Sequence, residues 1–573
     1  MTRINLDTLA IYRQRISGWK NHWRVVQLAR QVATHSQVNP ALKPVAFFNA
    51  SARLTGLSQN AAFALLTSWG LRLAGIPVSN FVCQAGMSHC VLGTDRQNYK
   101  KPPPCGACLR QSRRVYTGSE VYWFEYKWTS DLVNALKDLN VNELSNFEYQ
   151  KVKGPLITPG LSVPLGRLVL PSIRWALRCH TLPDDEGTRY LLREYILSAY
   201  NIAQEFSAFL DEVKPATVVI FNGIMYPEAT SLWVAQARGL RVITYEVGFQ
   251  RYSAFFTEGE ATAYPIHIPE DFELSPEQNA RLDDYLEKRF QGQFSMAGIR
   301  FWPEMRRLDE GFLRKAAQFR QMVPVFTNVV YDSSQVHANQ IFPHMFAWLD
   351  LVLDLIRSHP ETLFVIRAHP DEMRPGTAKQ SRESVREWVK RNNVDSLPNV
   401  TFIDSQDFVS SYELVRHSKF VMVYNSSIGM ESTLLGTPVL SGGKARYTQY
   451  PIVFFPESSQ AYQRMAKKFL TEGKIELPKE FQRNARRFLY YQLFRSSLSF
   501  ERFLQEGHRK GYVFLESFSW EDLLPSNSPT IRVLAEGIIS TAAHPQANPI
   551  NKGNNKEQLF LSDDKFWPDI STE

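Results

Sequence analysis

The sequence lacks several features that would assign it to a membrane or nucleic-acid-binding class. No apolar run approaches the roughly 18–20 residues that a membrane-spanning helix needs. The N-terminus has neither the uninterrupted apolar region of a signal peptide nor its small-residue cleavage site. No block of Lys or Arg resembles a nucleic-acid-binding arm, and a net charge of +8 is a mild excess for 573 residues. We therefore expect a cytoplasmic protein without a nucleic-acid partner.

Cysteine is also scarce. An odd count of five argues against a disulfide scaffold and favours a reducing compartment. Four thiols in one short segment suit a structural zinc ion, and less often an iron–sulfur cluster or a redox role. Reduced thiols without metal are the alternative. The candidate zinc ligands are Cys83, Cys90, Cys105 and Cys108, in a Cys-rich segment at 83–108.

What the chain does contain is the composition of a globular protein with a sizeable core, at 44% hydrophobic and 21% charged residues. Short β-rich runs alternate with helical stretches in both halves, which is typical of βαβ units on parallel sheets. The strands predicted in the second half are Val323–Val330, Leu363–Arg367, Val400–Ile403, Phe420–Tyr424 and Pro438–Leu440.

We predict an α/β fold of two Rossmann-like domains in tandem, with a Cys-rich insertion in the first domain and helices at the C-terminus. The predicted units are an N-terminal α/β domain at 1–315, a second α/β domain at 316–477, C-terminal helices at 478–541 and a disordered tail at 542–573.

Two charged helical stretches flank these predicted sheets. The first, at the N-terminus, is basic and amphipathic, with Arg13, Arg15 and Lys20 between short apolar stretches. It either packs on its own domain or lies on a membrane surface as a peripheral contact. The second, from Ser275 to Ala317, is broken by Pro303 and predicts a linker between the domains.

The segment Tyr424–Val439 carries the most chemical information. A buried strand is expected to end there in polar N-cap residues, including Ser426, before a helix begins near Ser427. Unpaired N–H groups at a helix start suit a phosphate, and Gly429 permits close backbone approach. Glu431 lies on the same helix face as Ser427, where a carboxylate accepts hydrogen bonds from ribose hydroxyls. We predict a nucleotide site, with an ordinary capped βαβ turn as the alternative.

A second motif follows a strand at Phe364–Pro370. The strand delivers Arg367 and His369 to its carboxyl end, where ligands of open α/β sheets bind. The guanidinium of Arg367 suits a phosphate or a carboxylate. The imidazole of His369 donates to a phosphate oxygen or moves a proton near neutral pH. The alternative is a strand-end turn fixed by the proline.

Together these segments resemble the capsule polysaccharide biosynthesis family, bacterial GT-B-like sugar transferases that include the Kdo transferases. The family pattern is an Arg-x-His-Pro strand end, then Ser/Thr-x-Gly-x-Glu and Gly-x-Pro-Val. One loop departs from it, because relatives often have His-Tyr-Arg where this chain has Ala445, Arg446 and Tyr447. The segments that carry the resemblance are Val325–Asp332, Phe342–Leu349, Ile366–Pro370 and Tyr424–Val439.

The resemblance implies a nucleotide-activated sugar held by the second domain and an acceptor on the first. It implies that no metal is required for transfer, because the helix start, Arg and His neutralise the departing nucleotide. The implied contacts are Ser426, Ser427 and Gly429 to phosphate, Glu431 to ribose, and Arg367 and His369 to the phosphate or leaving group.

A transferase of this kind needs a carboxylate or an imidazole as base or nucleophile. Glu246, at a predicted strand end in the first domain, is the first candidate and Asp332 the second, with His369 as the imidazole. For either carboxylate the alternative role is that of a helix cap or loop acceptor.

The predicted function is glycosyl transfer from a CMP-, UDP- or GDP-linked donor to an oligosaccharide or lipid-linked acceptor of a surface polysaccharide. One alternative is a sugar-nucleotide epimerase or a glycerophosphotransferase on a similar scaffold. The other is a non-catalytic nucleotide-sugar-binding component of a polysaccharide export complex.

Overall fold

The computed structural model describes residues 6–49, 56–150, 162–291, 305–374, 380–509, 511–540, 559–563 and 567, with side chains from residue 17 onward. The strands in these ranges are β1 (Val45–Asn49), β2 (Val78–Cys83), β3 (Glu120–Phe124), β4 (Thr217–Phe221), β5 (Arg241–Val247), β6 (Ser253–Glu258), β7 (Gln321–Phe326), β8 (Thr362–Arg367), β9 (Val400–Ile403), β10 (Val421–Val423), β11 (Val439–Ser441), β12 (Leu498–Ser499), β13 (Leu504–Glu506) and β14 (Val513–Leu515).

The α-helices of the same ranges cover both faces of the sheets. They are α1 (Leu6–His35), α2 (Gln59–Leu73), α3 (Cys105–Val115), α4 (Ser130–Leu136), α5 (Val141–Ser145), α6 (Leu165–Leu177), α7 (Glu186–Val213), α8 (Tyr226–Ala237), α9 (Pro276–Phe290), α10 (Glu310–Ala316), α11 (Gln335–Ala338), α12 (Met345–Ser358), α13 (Val385–Arg391), α14 (Ser411–Arg416), α15 (Ile428–Leu434), α16 (Ser459–Thr471), α17 (Lys479–Tyr490) and α18 (Pro529–Ile539).

Two sheets organise the molecule. The first has the order β12-β6-β5-β4-β1-β2-β3, in which β1 to β5 are parallel, β6 pairs antiparallel with β5, and β12 pairs antiparallel with β6. The second has the wholly parallel order β11-β10-β7-β8-β9. The parallel strands of both follow the order 3-2-1-4-5 of doubly wound nucleotide-binding sheets. Ligands of such sheets bind where the order reverses, here between β1 and β4 and between β7 and β10.

The central strands are buried on both faces because helices cover both sides, which explains their nearly continuous apolar sequences. All six residues of β8 are buried. Neighbouring residues enter opposite cores, as Val365 and Ile366 do in the second sheet. The same alternation separates Phe47 from Phe48 in the first sheet.

The structure does not support the predicted Cys-rich insertion. Cys83 ends β2 and Cys105 begins α3, so the segment is the connection between the parallel neighbours β2 and β3. Parallel strands require such a crossover, usually through a helix. The cysteines therefore belong to the framework of the first sheet.

The segment 478–541 is more than a set of C-terminal helices. It contains β12, which pairs with β6, and the antiparallel pair β13 and β14. The helix α17 packs on α15 of the second sheet, whereas α18 packs on α2, with Ile531 against Gly70. The chain thus returns from the second domain and completes the core of the first.

Most of the predicted disordered tail lies outside the described residues. The described part is packed: Phe560 is buried in the first core and Trp567 in the second, at 1% and 6% exposure. Both aromatic side chains pack against the domains, so the chain is ordered at these two positions.

The predicted linker from Ser275 to Ala317 is in part a component of the second domain, and its residues 292–304 lie outside the described ranges. A capping box at Ser275 starts α9. Leu282 and Leu286 of α9 are buried in the core under the second sheet. This helix also carries Arg289, which pairs with Glu431 of α15.

The N-terminal helix α1 packs on its own domain, as one of its two interpretations predicts. Val25, Leu28, Ala29 and Val32 of this helix enter the first core. Within the described part of the chain, we find no helix that is long and apolar enough to cross a bilayer.

Candidate active site

Loops of the second domain lie beside the carboxyl end of β5 in the first. Arg446, in the loop after β11, has its guanidinium 4.1 Å from the ring centre of Tyr264. The Tyr264 hydroxyl donates a hydrogen bond to the carbonyl of Val247, at the end of β5. Nearby, His337 Nε2 of α11 is 2.8 Å from the hydroxyl of Thr262. The polar ends of the two sheets therefore form one junction.

Glu246 lies at the carboxyl end of β5 in this junction. Its carboxylate accepts hydrogen bonds from Asn222 Nδ2 at 3.0 Å and from the backbone N–H of Val247 at 2.8 Å. Desolvation raises the pKa of Glu246 above its usual range, the two hydrogen bonds and Arg446 oppose the rise, and Asp332 adds to it. A carboxyl group with a raised pKa at a strand end is suited to accept a proton.

Asp332 lies in the loop after β7 and is exposed. Its Oδ2 accepts a hydrogen bond from the Ser334 hydroxyl at 2.9 Å. The structure brings Asp332 close enough to Glu246 to raise the pKa of that carboxyl. The two candidate carboxylates, from different domains, thus share one junction.

Arg367 ends β8 and is 2% exposed. Its Nη1 donates to the carbonyl of Asp404 at 2.7 Å, while Nε and Nη2 have no hydrogen-bond partner among the described residues. Desolvation lowers the pKa of Arg367 to about 10, and Asp407 opposes this. Unsatisfied donors on a buried cation are costly, so this group is suited to bind an anion.

His369 follows Arg367 by two residues and is partly buried. The backbone N–H of Asp371 donates to His369 Nδ1 at 3.1 Å. Because Nδ1 accepts here, the ring proton lies on Nε2 in the neutral imidazole. The imidazole is thus oriented as an Nε2 donor.

The helix start predicted near Ser427 is present, but its caps differ from the prediction. Ser427 is exposed and already helical, at φ −58° and ψ −25°, and makes no side-chain capping bond. The helix α15 has only seven residues. Asn425 ties the turn to the β7 loop instead, because its N–H donates to Asn328 Oδ1 at 3.3 Å. This contact joins the two strand ends where the sheet order reverses.

Gly429 is required for a different reason from the one predicted. A Cβ at this position would overlap the hydroxyl of Tyr447 and lie 3.0 Å from its Cζ. The same hydroxyl donates to the carbonyl of Ser426 at 2.7 Å. The close approach is therefore made by an aromatic ring of the loop after β11, which holds the turn at Ser426.

We expect Gly429→Ala to lower the free energy of unfolding by about 1–3 kcal/mol, because the added methyl group displaces Tyr447. Removing the hydroxyl in Gly429→Ala/Tyr447→Phe should restore part of the loss. Denaturant unfolding of both variants and of Tyr447→Phe measures this coupling. Strictly additive effects in the double variant would contradict the contact.

Glu431 does not face the junction with a free carboxylate, contrary to its predicted ribose contact. It is 3% exposed. Its Oε1 pairs with Arg289 Nη2 of α9 at 2.6 Å, and its Oε2 accepts from the Tyr412 hydroxyl at 2.6 Å. Desolvation acts to lower the pKa of the buried Arg289, but the charges of Glu431, Tyr285 and Tyr412 and the hydrogen bond to Glu431 together raise it above its usual value. Both oxygens of Glu431 therefore serve the packing of three helices.

Burial is the main cause that raises the pKa of Cys83, and the charges of Cys90, Cys105 and Cys108 add to the rise, so the four candidate zinc ligands lie near one another. Within the described ranges, no group of three or more His, Cys, Asp or Glu side chains is arranged to hold a metal ion. The thiols of Cys83 and Cys90 accept backbone N–H groups of Gly86 and Gly93, each at 3.2 Å. Burial raises the pKa of the Cys90 thiol to about 12. The zinc site therefore stays a prediction, with reduced structural thiols as its alternative.

Other residues of the junction were not predicted. Asn222 turns the chain after β4 with φ 35° and holds Glu246. The guanidinium groups of Arg178 and Arg96 lie 4.2 and 4.8 Å from the ring centre of Trp175. No sequence pattern joins these residues. One signal in the sequence pointed to this junction: the loop that contains Arg446 departs from the family pattern, and Arg446 lies in the junction.

Residues 299–472 match the family described as capsule polysaccharide biosynthesis protein. No curated protein matches the chain. Among solved structures, a KpsC beta Kdo 2,4 transferase of Thermosulfurimonas dismutans shares 12% identity over 52% of this chain and 84% of its own, with a TM-score of 0.32. A KpsC beta Kdo 2,7 transferase of that organism shares 15% over 55% and 85%, with a TM-score of 0.31.

A UDP-GlcNAc 2-epimerase of Neisseria meningitidis is similar over more of the chain. It shares 11% identity over 79% of this chain and 96% of its own, with a TM-score of 0.23. All three likenesses are distant, so the similarity depends on the matched segment, which contains β7 to β11 and all of the predicted nucleotide-site residues. The matched segment, residues 299–472, is therefore what makes the chain similar to the capsule polysaccharide biosynthesis protein family.

Proposed function

We propose that this protein is a glycosyltransferase of capsule synthesis, which moves a sugar from a nucleotide-activated donor to a polysaccharide or glycolipid acceptor. The observation that carries the proposal is Glu246. This carboxyl group has a raised pKa and lies beside Arg446 and Asp332 of the other domain. A base at the junction of two nucleotide-binding-type sheets is what sugar transfer requires.

In the proposed reaction, the acceptor hydroxyl loses its proton to Glu246 as its oxygen bonds to the anomeric carbon of the donor sugar. The bond between that carbon and the phosphate oxygen breaks, and the nucleotide leaves with the electron pair. Arg446 is available to stabilise the ionised carboxylate. No metal ion is needed if protein cations take up the developing phosphate charge.

On the donor side, the second sheet offers Arg367, His369 and Ser427. Arg367 supports this assignment most directly, because two of its N–H groups lack partners among the described residues. The Nε2–H group of His369 and the exposed hydroxyl of Ser427 are further donors at the same edge of the sheet. We assign them to the phosphate groups and leave Glu431 out of the nucleotide site.

We expect Arg367→Met to abolish stabilisation by the nucleotide without lowering the free energy of unfolding of the ligand-free protein. Removal of a buried, incompletely paired charge is neutral or stabilising, whereas loss of the anion contact weakens binding. Thermal unfolding with and without CMP, UDP, CDP and GDP measures both effects and identifies the nucleobase that the donor carries.

Arg314→Met is the matched control, because its side chain is 73% exposed on α10 of the same domain. It should leave both the ligand-free stability and the nucleotide shift unchanged. A nucleotide shift that persists in Arg367→Met would contradict the assignment of Arg367.

The function is tested by incubating the full chain with CMP-, UDP- and GDP-sugars and an oligosaccharide or glycolipid acceptor, with and without EDTA. A transferase gives a longer acceptor and free nucleotide only when both substrates are present. An epimerase inverts a carbon of the sugar in the nucleotide sugar and needs no acceptor. A glycerophosphotransferase extends an acceptor only when the donor is a nucleotide-activated glycerol phosphate. Nucleotide binding without any product would favour the non-catalytic alternative.

A further inference from the structure

The outward face of α1 carries two exposed tryptophans. Trp19 is 68% exposed and Trp23 is 60% exposed. They are four residues apart and so lie on one side of the helix. The opposite side of α1 is already packed in the first core. Exposed aromatic groups that are grouped together mark interaction surfaces.

The surroundings of these tryptophans are basic. Residues 17–35 of α1 and the neighbouring helix α3 together contain Lys20, Arg24, Arg30, Arg110, Arg113 and Arg114, and neither stretch contains Asp or Glu. All except Arg24 are exposed, and Arg24 donates to the carbonyl of Leu515 instead. We call this surface the α1–α3 face, defined by Trp19, Trp23, Lys20, Arg30, Arg110, Arg113 and Arg114.

A shallow groove of about 650 Å³ runs along this face. Trp19 and Trp23 line it together with Arg30 of α1 and Arg114 of α3. Arg114 Nη1 is 3.4 Å from His22 Nδ1, which brings the cation of α3 next to the tryptophans of α1. The groove thus combines indole rings with cationic head groups.

We propose that the α1–α3 face binds the surface of an anionic phospholipid membrane. Indole rings are favoured at the boundary between headgroups and acyl chains, because they present both an apolar ring and an N–H donor. Exposed Lys and Arg side chains beside them are attracted to anionic headgroups. A second copy of this chain would bring one cationic face against another, so the charge favours a membrane as the occupant.

The test is sedimentation of the full chain with phosphatidylcholine vesicles and with vesicles that also contain phosphatidylglycerol. We expect binding to the anionic vesicles that weakens with salt. Trp19→Ser/Trp23→Ser should reduce it by about tenfold or more. Arg110→Gln/Arg114→Gln should reduce it by about fivefold for each cation removed.

Trp128→Ser is the matched control, because Trp128 is also 68% exposed but lies outside this face. It should bind as the unaltered protein does, and all variants should keep their melting temperature. The proposal would be overturned if the protein bound no vesicles, or bound neutral and anionic vesicles equally. It would also be overturned if Trp128→Ser reduced binding as much as Trp19→Ser/Trp23→Ser does. A dimer in analytical ultracentrifugation that Trp19→Ser/Trp23→Ser dissociates would assign the face to a second copy instead.

Discussion

Glu246→Gln is expected to lower the rate of sugar transfer by about 10²–10⁴-fold, the usual contribution of a positioned general base. Glutamine keeps the size of the side chain and one carbonyl acceptor for Asn222 or Val247, so the protein should still fold. Donor binding should persist, because Glu246 belongs to the first sheet and the proposed phosphate contacts to the second. Single-turnover transfer together with nucleotide binding measures both parts.

The pH dependence of transfer gives a second, independent test of Glu246. A base must be ionised, so the rate should fall as the pH drops through the raised pKa of Glu246, above the value of about 4.3 for an ordinary glutamate. The charge of Asp332 contributes to that rise. Asp332→Asn should therefore move the acid limb of the profile to lower pH. Glu246 would be excluded as the base if the acid limb did not move in Asp332→Asn and Glu246→Gln kept full activity.

Glu431→Gln is expected to reduce the free energy of unfolding by about 3–5 kcal/mol. The substitution leaves the buried guanidinium of Arg289 without its counter-charge, and breaking a buried pair from one side has about this cost. Replacing both partners in Arg289→Met/Glu431→Met should recover most of the loss, because two apolar side chains leave no unpaired charge. Denaturant unfolding of the single and double variants measures the difference.

The matched control for this pair is Glu310→Gln. Its ion pair with Arg314 is exposed, at 88% and 73% for the two side chains. Exposed pairs one helical turn apart contribute only about 0.3–0.5 kcal/mol. If Glu431→Gln were as stable as this control but failed to bind nucleotide, the ribose contact predicted from the sequence would be restored.

The strands of the second sheet were predictable from local sequence. The predicted Val400–Ile403 matches β9, and Leu363–Arg367 differs from β8 by one residue. Apolar runs between polar and Gly or Pro residues determine these elements, because each is buried on both faces. Val323–Val330 was extended four residues too far, because Val329 and Val330 of the loop after Phe326 are also apolar and buried.

The candidate site was predictable only as a location. Glu246 and Arg367 lie at the carboxyl ends of strands, Asp332 and His369 lie in the loops that follow strands, and strand ends of parallel sheets meet at one edge. The role of each residue could not be predicted from the sequence in the same way. The cysteine pattern predicts a metal site, but that the same residues lie in a crossover follows only from the pairing of β2 with β3.

The sequence by itself determined the alternation of strands and helices, the family segment and the edge of each sheet where polar groups collect, because these depend on local pattern. Tertiary structure alone decided which polar groups are engaged. Glu431 is neutralised by Arg289, 142 residues earlier in the chain, and Gly429 is held by Tyr447 from a later loop. Such partners are chosen by packing between elements distant in sequence, and burial then determines whether a charge is paired or left available to a ligand.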